Sequence, residues 1–210
     1  MVDVEKRETS PHQLSPSAWN RSETCPRMYW LSRQRLPRKA GMAASLGTAV
    51  HASIEDLLNM SLDGRVDDEA GWLPLAAEGF LKDRWEEEKA VFLATPRRPD
   101  WKESKWNEAK KQQKGGIILL LDHINARELP HERITVALWK HLQSLAIAVE
   151  GELVTSDARL MGRLDLLFAE LDEKGAMKGW LVADLKTGNA PTKELKTEVN
   201  RQLRMYRDIL

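Results

Sequence analysis

The sequence predicts an α/β or α+β fold in which a largely helical lobe is inserted ahead of a small sheet. Three observations predict it. Up to about Leu145 the apolar residues recur at helical spacing, and beyond it the period changes to that of strands. Residues 160–188 then hold two apolar runs around a polar, glycine-containing turn, the pattern of a β-hairpin. A last helical pattern follows, in which Leu195, Val199, Leu203 and Tyr206 share one face.

Length and composition set outer bounds. At 210 residues the chain suits one domain with a substantial core. The expected organisation is a flexible N-terminus over 1–13, then a single domain over 14–210 with a helical insertion at about 66–145. Lysine and arginine total 32, as do aspartate and glutamate. With no net field, binding to nucleic acid has to come from local basic patches. A single cysteine excludes an internal disulfide and agrees with a cytoplasmic setting. The charged N-terminus has no apolar core to serve as a signal peptide. No apolar run reaches the roughly 20 residues of a membrane span, so no membrane partner is expected.

In chain order, Ser15 is a good N-cap with Pro16 at the first helical position, and Thr24 or Cys25 followed by Pro26 repeats the arrangement. Two short helices joined at Cys25 are predicted, with Cys25 a small buried side chain. Trp19, Met28, Tyr29 and Leu31 supply apolar surface, and Arg33, Arg35, Arg38 and Lys39 a basic patch. The next helix, with Gly47 ahead of it, buries Val50, Ile54, Leu57 and Leu58. His51 and Glu55 are i, i+4 neighbours beside that stripe. A histidine there serves as a buried group bonded to a carbonyl, as a surface residue or as a metal ligand, and the helix alone does not choose.

From Asp67 to Leu145 the pattern is helical, with breaks expected at Gly71, Pro74, Pro96, Pro99, Gly115, Gly116 and Pro130. Within it, Trp101 and Trp106 alternate with Arg97, Arg98, Lys102, Lys105, Lys110, Lys111 and Lys114. Such a mixture either tracks a phosphate backbone and stacks bases or is an amphipathic helix with tryptophan turned to the core. The strand run 145–155 precedes the hairpin. In the hairpin's second run, alternation puts Val182, Asp184 and Lys186 on one face; in the first it groups Arg163, Asp165 and Leu167. One register of the pair brings both aspartates and the lysine together. Two carboxylates invite a hard cation, and an adjacent ammonium suits a phosphate or an activated water. A plain Asp184–Lys186 salt bridge fits the same two residues.

Five features in order bear a further reading: S-P-S…C-P-R-x-Y at Ser15 to Tyr29, G-T-A-V-H at Gly47 to His51, G-R-L-D at Gly162 to Asp165, A-D-L-K-T-G at Ala183 to Gly188, and Q-x-x-x-Y at Gln202 to Tyr206. On these the chain resembles the RecB-type exonuclease branch of the PD-(D/E)XK nuclease superfamily. That branch includes the nuclease domains of recombination helicase-nucleases, CRISPR-associated adaptation nucleases and free-standing exonucleases. The resemblance implies a restriction-endonuclease-like αβββαβ core and a DNase that depends on Mg²⁺ or Mn²⁺ and serves repair, recombination or phage-type DNA processing. It implies that His51, Asp165, Asp184 and the main-chain carbonyl of Leu185 hold the metal. Asp165, Asp184 and Lys186 become the catalytic group, with Lys186 orienting the attacking water. Gln202, Tyr206 and Arg204 become substrate-contacting or bracing residues. If His51 is a ligand, Glu55, one turn further along the helix, is placed to orient its ring.

Two departures from the family pattern shape the expectations. Many members of the branch hold an iron–sulfur cluster through four cysteines. Cys25 matches the first of these and no other is present, so no cluster is expected in this chain. The family core also has a strand after the Q-x-x-x-Y helix, and the chain stops there, so a missing final strand is expected. Other functional classes are a non-catalytic nucleic-acid-binding module and a subunit of a helicase-nuclease or CRISPR adaptation assembly. The absence of a G-x-x-x-x-G-K-[ST] loop rules out a motor in this chain.

Overall fold

The structure is a computed structural model describing residues 13–34, 39–186, 194 and 196–210. The N-terminal residues 1–12 and the predicted positions Arg35, Arg38, Thr187, Gly188 and Leu195 lie outside the described residues. The fold is α+β. Its elements run α1 (Pro16–Thr24), α2 (Pro26–Ser32), α3 (Met42–Asn59), α4 (Trp72–Ala94), α5 (Trp106–His123), α6 (Val136–Leu145), β1 (Ala146–Val154), β2 (Met161–Leu171), β3 (Met177–Ala183) and α7 (Thr197–Ile209). The sheet has the order β1-β2-β3. No helix among the described residues is long and apolar enough to cross a membrane. The chain divides into two compact units, and the division falls within β1 after Glu150 and within β2 after Leu164.

The first unit holds α1, α2, α7 and the segment 151–164. Ser15 caps α1 by accepting from the Ala18 N–H at 3.2 Å, and Pro16 sits where a missing N–H costs nothing. Cys25 ends α1 and starts α2, as the sequence predicts, but it is half-buried rather than buried, and α2 buries none of its residues. The seven-residue helix has too little apolar surface at its start to cover the thiol. α7 lies against α1: the Arg201 guanidinium stands 5.4 Å from the Trp19 ring centre and donates to Asn20 Oδ1 at 2.7 Å. Met205 and Tyr206 are buried. Tyr206 fits only because residue 162 is glycine, since a Cβ there would stand 2.6 Å from Tyr206 Cε1.

The second unit holds α3 to α6 and the hairpin. Its core is the stripe Val50, Ile54, Leu57 and Leu58 of α3 packed with Leu73, Leu81 and Trp85 of α4, Ile117 and Leu121 of α5, Trp139 and Leu142 of α6, and Leu166 and Phe168 of β2. Several expected breaks are absorbed into helices. Gly47 lies inside α3, which starts at Met42. Pro74 lies in the first turn of α4, where the N–H has no intrahelical acceptor in any case. Gly115 and Gly116 lie within an unbroken α5. Gly116 is needed for packing, because a Cβ would stand 2.5 Å from Ile54 Cδ1. The tertiary contact offsets the low helix propensity that glycine brings.

β2 and β3 are antiparallel, with Leu166 opposite Ala183 and Phe168 opposite Leu181. Their turn is built by Asp172, whose Oδ1 accepts from the N–H groups of Lys174 and Ala176 at 2.8 and 2.9 Å, and by Gly175 at φ 77°. One step past the last pair, this register sets Asp165 across from Asp184.

Candidate functional site

The site lies wholly within the second unit. α3 anchors it: with Val50 and Ile54 locked in the core, His51 is carried one residue round the helix to a half-buried position at the core's margin. β1 brings Glu150 and β2 brings Asp165. His51 Nδ1 stands 3.6 Å from Asp165 Oδ2 and 3.8 Å from Glu150 Oε1. One ligand atom from each of His51, Glu150 and Asp165 lies within 4.8 Å of the other two.

Glu150 takes φ 51°, the left-handed region, in the middle of a strand. For a residue with a Cβ this costs about 1–2 kcal/mol, and such strain collects where a side chain must be aimed. Asp165 is fixed from the other side, where its Oδ2 accepts from the Leu185 N–H at 2.6 Å.

The electrostatics are those of crowded acid groups. Burial, with the neighbouring charges of Asp184 and Glu150, pushes the Asp165 carboxyl up to about 6, against the opposing pull of His51 and the Leu185 N–H. Burial acts to lower the His51 pKa, but the facing Glu150 carboxylate and the charges of Asp165 and Asp184 outweigh it, and the imidazole is held above its usual value. Two carboxylates and an imidazole at this spacing fit a divalent cation. Ligand distances of about 2.0–2.6 Å leave donors no more than roughly 5 Å apart.

The other sequence-predicted residues divide between the two units. Asp184, its side chain only 5% exposed, is ion-paired with Lys186 and lies close enough to His51 and Asp165 to raise the pKa of both. Among the described residues, the group whose ligand atoms all lie within 4.8 Å of one another is His51, Glu150 and Asp165, with Asp184 beside it. Leu185 reaches the site through its N–H. Gln202, Arg204 and Tyr206 belong to the first unit. There the Tyr206 hydroxyl donates to the Arg163 carbonyl at 2.5 Å, two residues before Asp165 in the chain, and Gln202 Nε2 donates to that hydroxyl at 2.8 Å. Arg204 is exposed and Glu55 half-buried. Of the tryptophans alternating with lysines, Trp101 and Trp106 pack edge-on against Trp85, with ring centres 4.8 and 5.6 Å away. They form part of the helical core.

Glu150 is the residue that sequence reasoning passes over. Its signal is present: an ionisable group after the apolar run LAIAV, followed by a glycine, repeats the anomaly that marks Asp165 and Asp184. The left-handed turn that aims it has no sequence signature at a glutamate. The family model of the PD-(D/E)XK nuclease superfamily matches residues 13–210. No curated protein and no solved structure matches the chain.

Proposed function

The chain belongs to the PD-(D/E)XK nuclease superfamily, and from that premise we propose that it is a Mg²⁺- or Mn²⁺-dependent exonuclease of the RecB-type branch, hydrolysing phosphodiester bonds of DNA in repair, recombination or phage-type processing. We take residues 14–210 as one nuclease domain with a helical insertion over about 66–145, a reading supported by a family match that spans them, and we assign the protein to the cytoplasm. The observation that carries the function is the convergence of His51, Glu150 and Asp165 on one point beside Asp184 and Lys186.

In this reading His51, Glu150 and Asp165 hold the cation, with Asp184 and the carbonyl of Leu185 completing its surroundings. When bound, the cation lowers the pKa of water and offsets charge on the scissile phosphate. The remaining steps fall to the chain. The Leu185 N–H holds the Asp165 carboxylate in place through Oδ2, the oxygen that also faces His51 Nδ1. Lys186 Nζ, on a half-exposed side chain tethered by Asp184, donates to the attacking water or to a non-bridging phosphate oxygen, where negative charge grows as the bond to phosphorus forms. In the other unit, Tyr206 and Gln202 fix the strand that leads into Asp165.

Incubation with end-labelled single- and double-stranded DNA in Mg²⁺, Mn²⁺ or EDTA tests the reading. Stepwise shortening from one end that EDTA stops is the expected result. Binding of DNA with no cleavage under any metal would overturn it in favour of a non-catalytic binding module.

A further inference from the structure

Glu108, Lys111, Gln112, Gly115, Ile118 and Leu119 follow one another at helical spacing along α5, away from the buried face of Ala109, Gln113, Gly116, Ile117 and Leu120. This outward face lines a groove of about 640 Å³, and Leu185 and Lys186, next to the candidate site, line it too. Three cations, Lys111, Arg127 and Lys186, border the groove against one acid, Glu108. That acid is already engaged by Lys105 at 2.5 Å. Lys111 is exposed and has no acidic partner among the described residues. Among the described residues Arg127 pairs with the exposed Asp122 and Glu128, at 3.7 and 4.0 Å, contacts weak enough to yield to a ligand.

Gly115 is the second, independent sign. Glycine within a helix costs about 1 kcal/mol relative to alanine. At Gly116 the contact with Ile54 explains it, but a Cβ on Gly115 would meet nothing within 4 Å. Packing does not require the missing side chain at position 115, while its absence keeps the middle of the groove open.

We infer that this groove seats one strand of the nucleic-acid substrate on its way to the cleavage site, with Lys111 and Arg127 on successive phosphates and the strand lying against the bare backbone at Gly115. The inference rests on the nuclease reading. The volume is in the range of small-ligand sites, enough for a short stretch of one strand. A cationic groove with adjacent exposed apolar groups such as Leu119 is the usual means of holding a single strand without reading its sequence.

The test is fluorescence anisotropy of a labelled single-stranded oligodeoxynucleotide with Ca²⁺ in place of Mg²⁺, alongside Mg²⁺-dependent cleavage by each protein. Lys111→Gln and Arg127→Gln should each weaken binding on the order of 5-fold at 0.1 M salt and flatten the salt dependence by about 0.7 in log–log slope, one phosphate contact each. Gly115→Leu should weaken it at least as much while melting no lower than wild type. Lys178→Gln, on β3 and outside the groove, should leave it unchanged. If the wild type binds and cleaves but Lys111→Gln and Arg127→Gln keep its affinity and slope, the groove assignment is wrong and the nuclease reading stands. If Gly115→Leu misfolds, the two charge variants decide. A wild type that neither binds nor cleaves removes both readings.

Discussion

In the second unit two buried regions that share α3 treat polar groups in opposite ways. In the helical core the Trp139 indole N–H donates to the Leu57 carbonyl at 3.0 Å, and the buried Gln113 amide donates to Ser53 Oγ and the Ala77 carbonyl at 3.0 and 2.8 Å. Burial there leaves those donors satisfied, which is the condition under which it stabilises. At the core's margin, Glu150, Asp165 and Asp184 crowd around one imidazole, and the Asp165 carboxyl is pushed up to about 6 by burial and its neighbours. Like charges left this close destabilise the metal-free protein. The Trp139 and Gln113 donors are satisfied at rest, whereas the crowded carboxylates of the site would be offset by a cation.

The largest effect expected from this contrast is on catalysis. Lys186→Ala and Asp184→Ala should each reduce metal-dependent cleavage by at least about 100-fold, the scale seen when a group that meets developing charge is removed. In EDTA, Asp184→Ala, which removes charge from the crowded site, should melt no lower than wild type, and Lys186→Ala, which takes the cation from a nearly buried carboxylate, somewhat lower; neither residue belongs to the core cluster, so both should stay folded. A well-folded variant of either kind with near wild-type turnover would show that the cleavage site lies elsewhere.

Next come two substitutions with opposite signs. Trp139→Ala, in the satisfied core, should cost about 3–5 kcal/mol in urea unfolding and leave the Leu57 carbonyl without its donor. Asp165→Asn removes charge from the crowded site while keeping an oxygen for the Leu185 N–H. It should melt higher than wild type in EDTA and be inactive. If Asp165→Asn is instead the less stable protein in EDTA, the repulsion inferred at the site is absent.

The pH dependence separates the regions further. Asp165 has a folded pKa raised from 3.8 to about 6, so its contribution is fully present below about pH 4 and is lost as pH rises through about 6. His51, also raised, contributes in the same direction at somewhat higher pH. For Asp165, with its side chain 14% exposed, the loss is on the order of 3 kcal/mol. The stability gap between Asp165→Asn and wild type in EDTA should widen from pH 4 to pH 7. Thermal stabilisation by Mn²⁺ should grow over the same range, because protons and metal compete for the same atoms. A gap that stays flat with pH would assign any stabilisation in Asp165→Asn to packing.

The core was more legible in the sequence than the site. The stripe through Val50, Ile54, Leu57 and Leu58 and the caps at Ser15 and Cys25 follow from periodicity and local chemistry, and the structure carries them. Gly115 and Gly116 read as breaks because glycine signals flexibility locally, whereas its use at Gly116 depends on Ile54, far away in sequence. At the site, His51 gave no decision from its own helix. Its role depends on two strands that begin only at Ala146 and Met161, and only resemblance singles it out. Asp165 and Asp184 could be placed on one face by strand alternation. Glu150 could not, since alternation gives no warning of a left-handed residue within a strand.

That backbone supplies the smallest and most specific test of the comparison. If the φ of 51° at Glu150 is held so as to aim a ligand, strain and ligation can be separated by two substitutions that both delete the carboxylate. Glu150→Ala keeps a Cβ in the left-handed region, and Glu150→Gly does not. On strain alone the glycine variant should be the more stable in EDTA by about 1 kcal/mol, despite the greater unfolded-state freedom that glycine brings. Both should lose most of the thermal stabilisation that Mn²⁺ gives the wild type. Should the alanine variant match or exceed the glycine variant, the backbone there relaxes once the side chain is gone. Should both keep the full Mn²⁺ shift, Glu150 is no ligand, and the cation is held by His51 and Asp165 with Asp184 as the third donor.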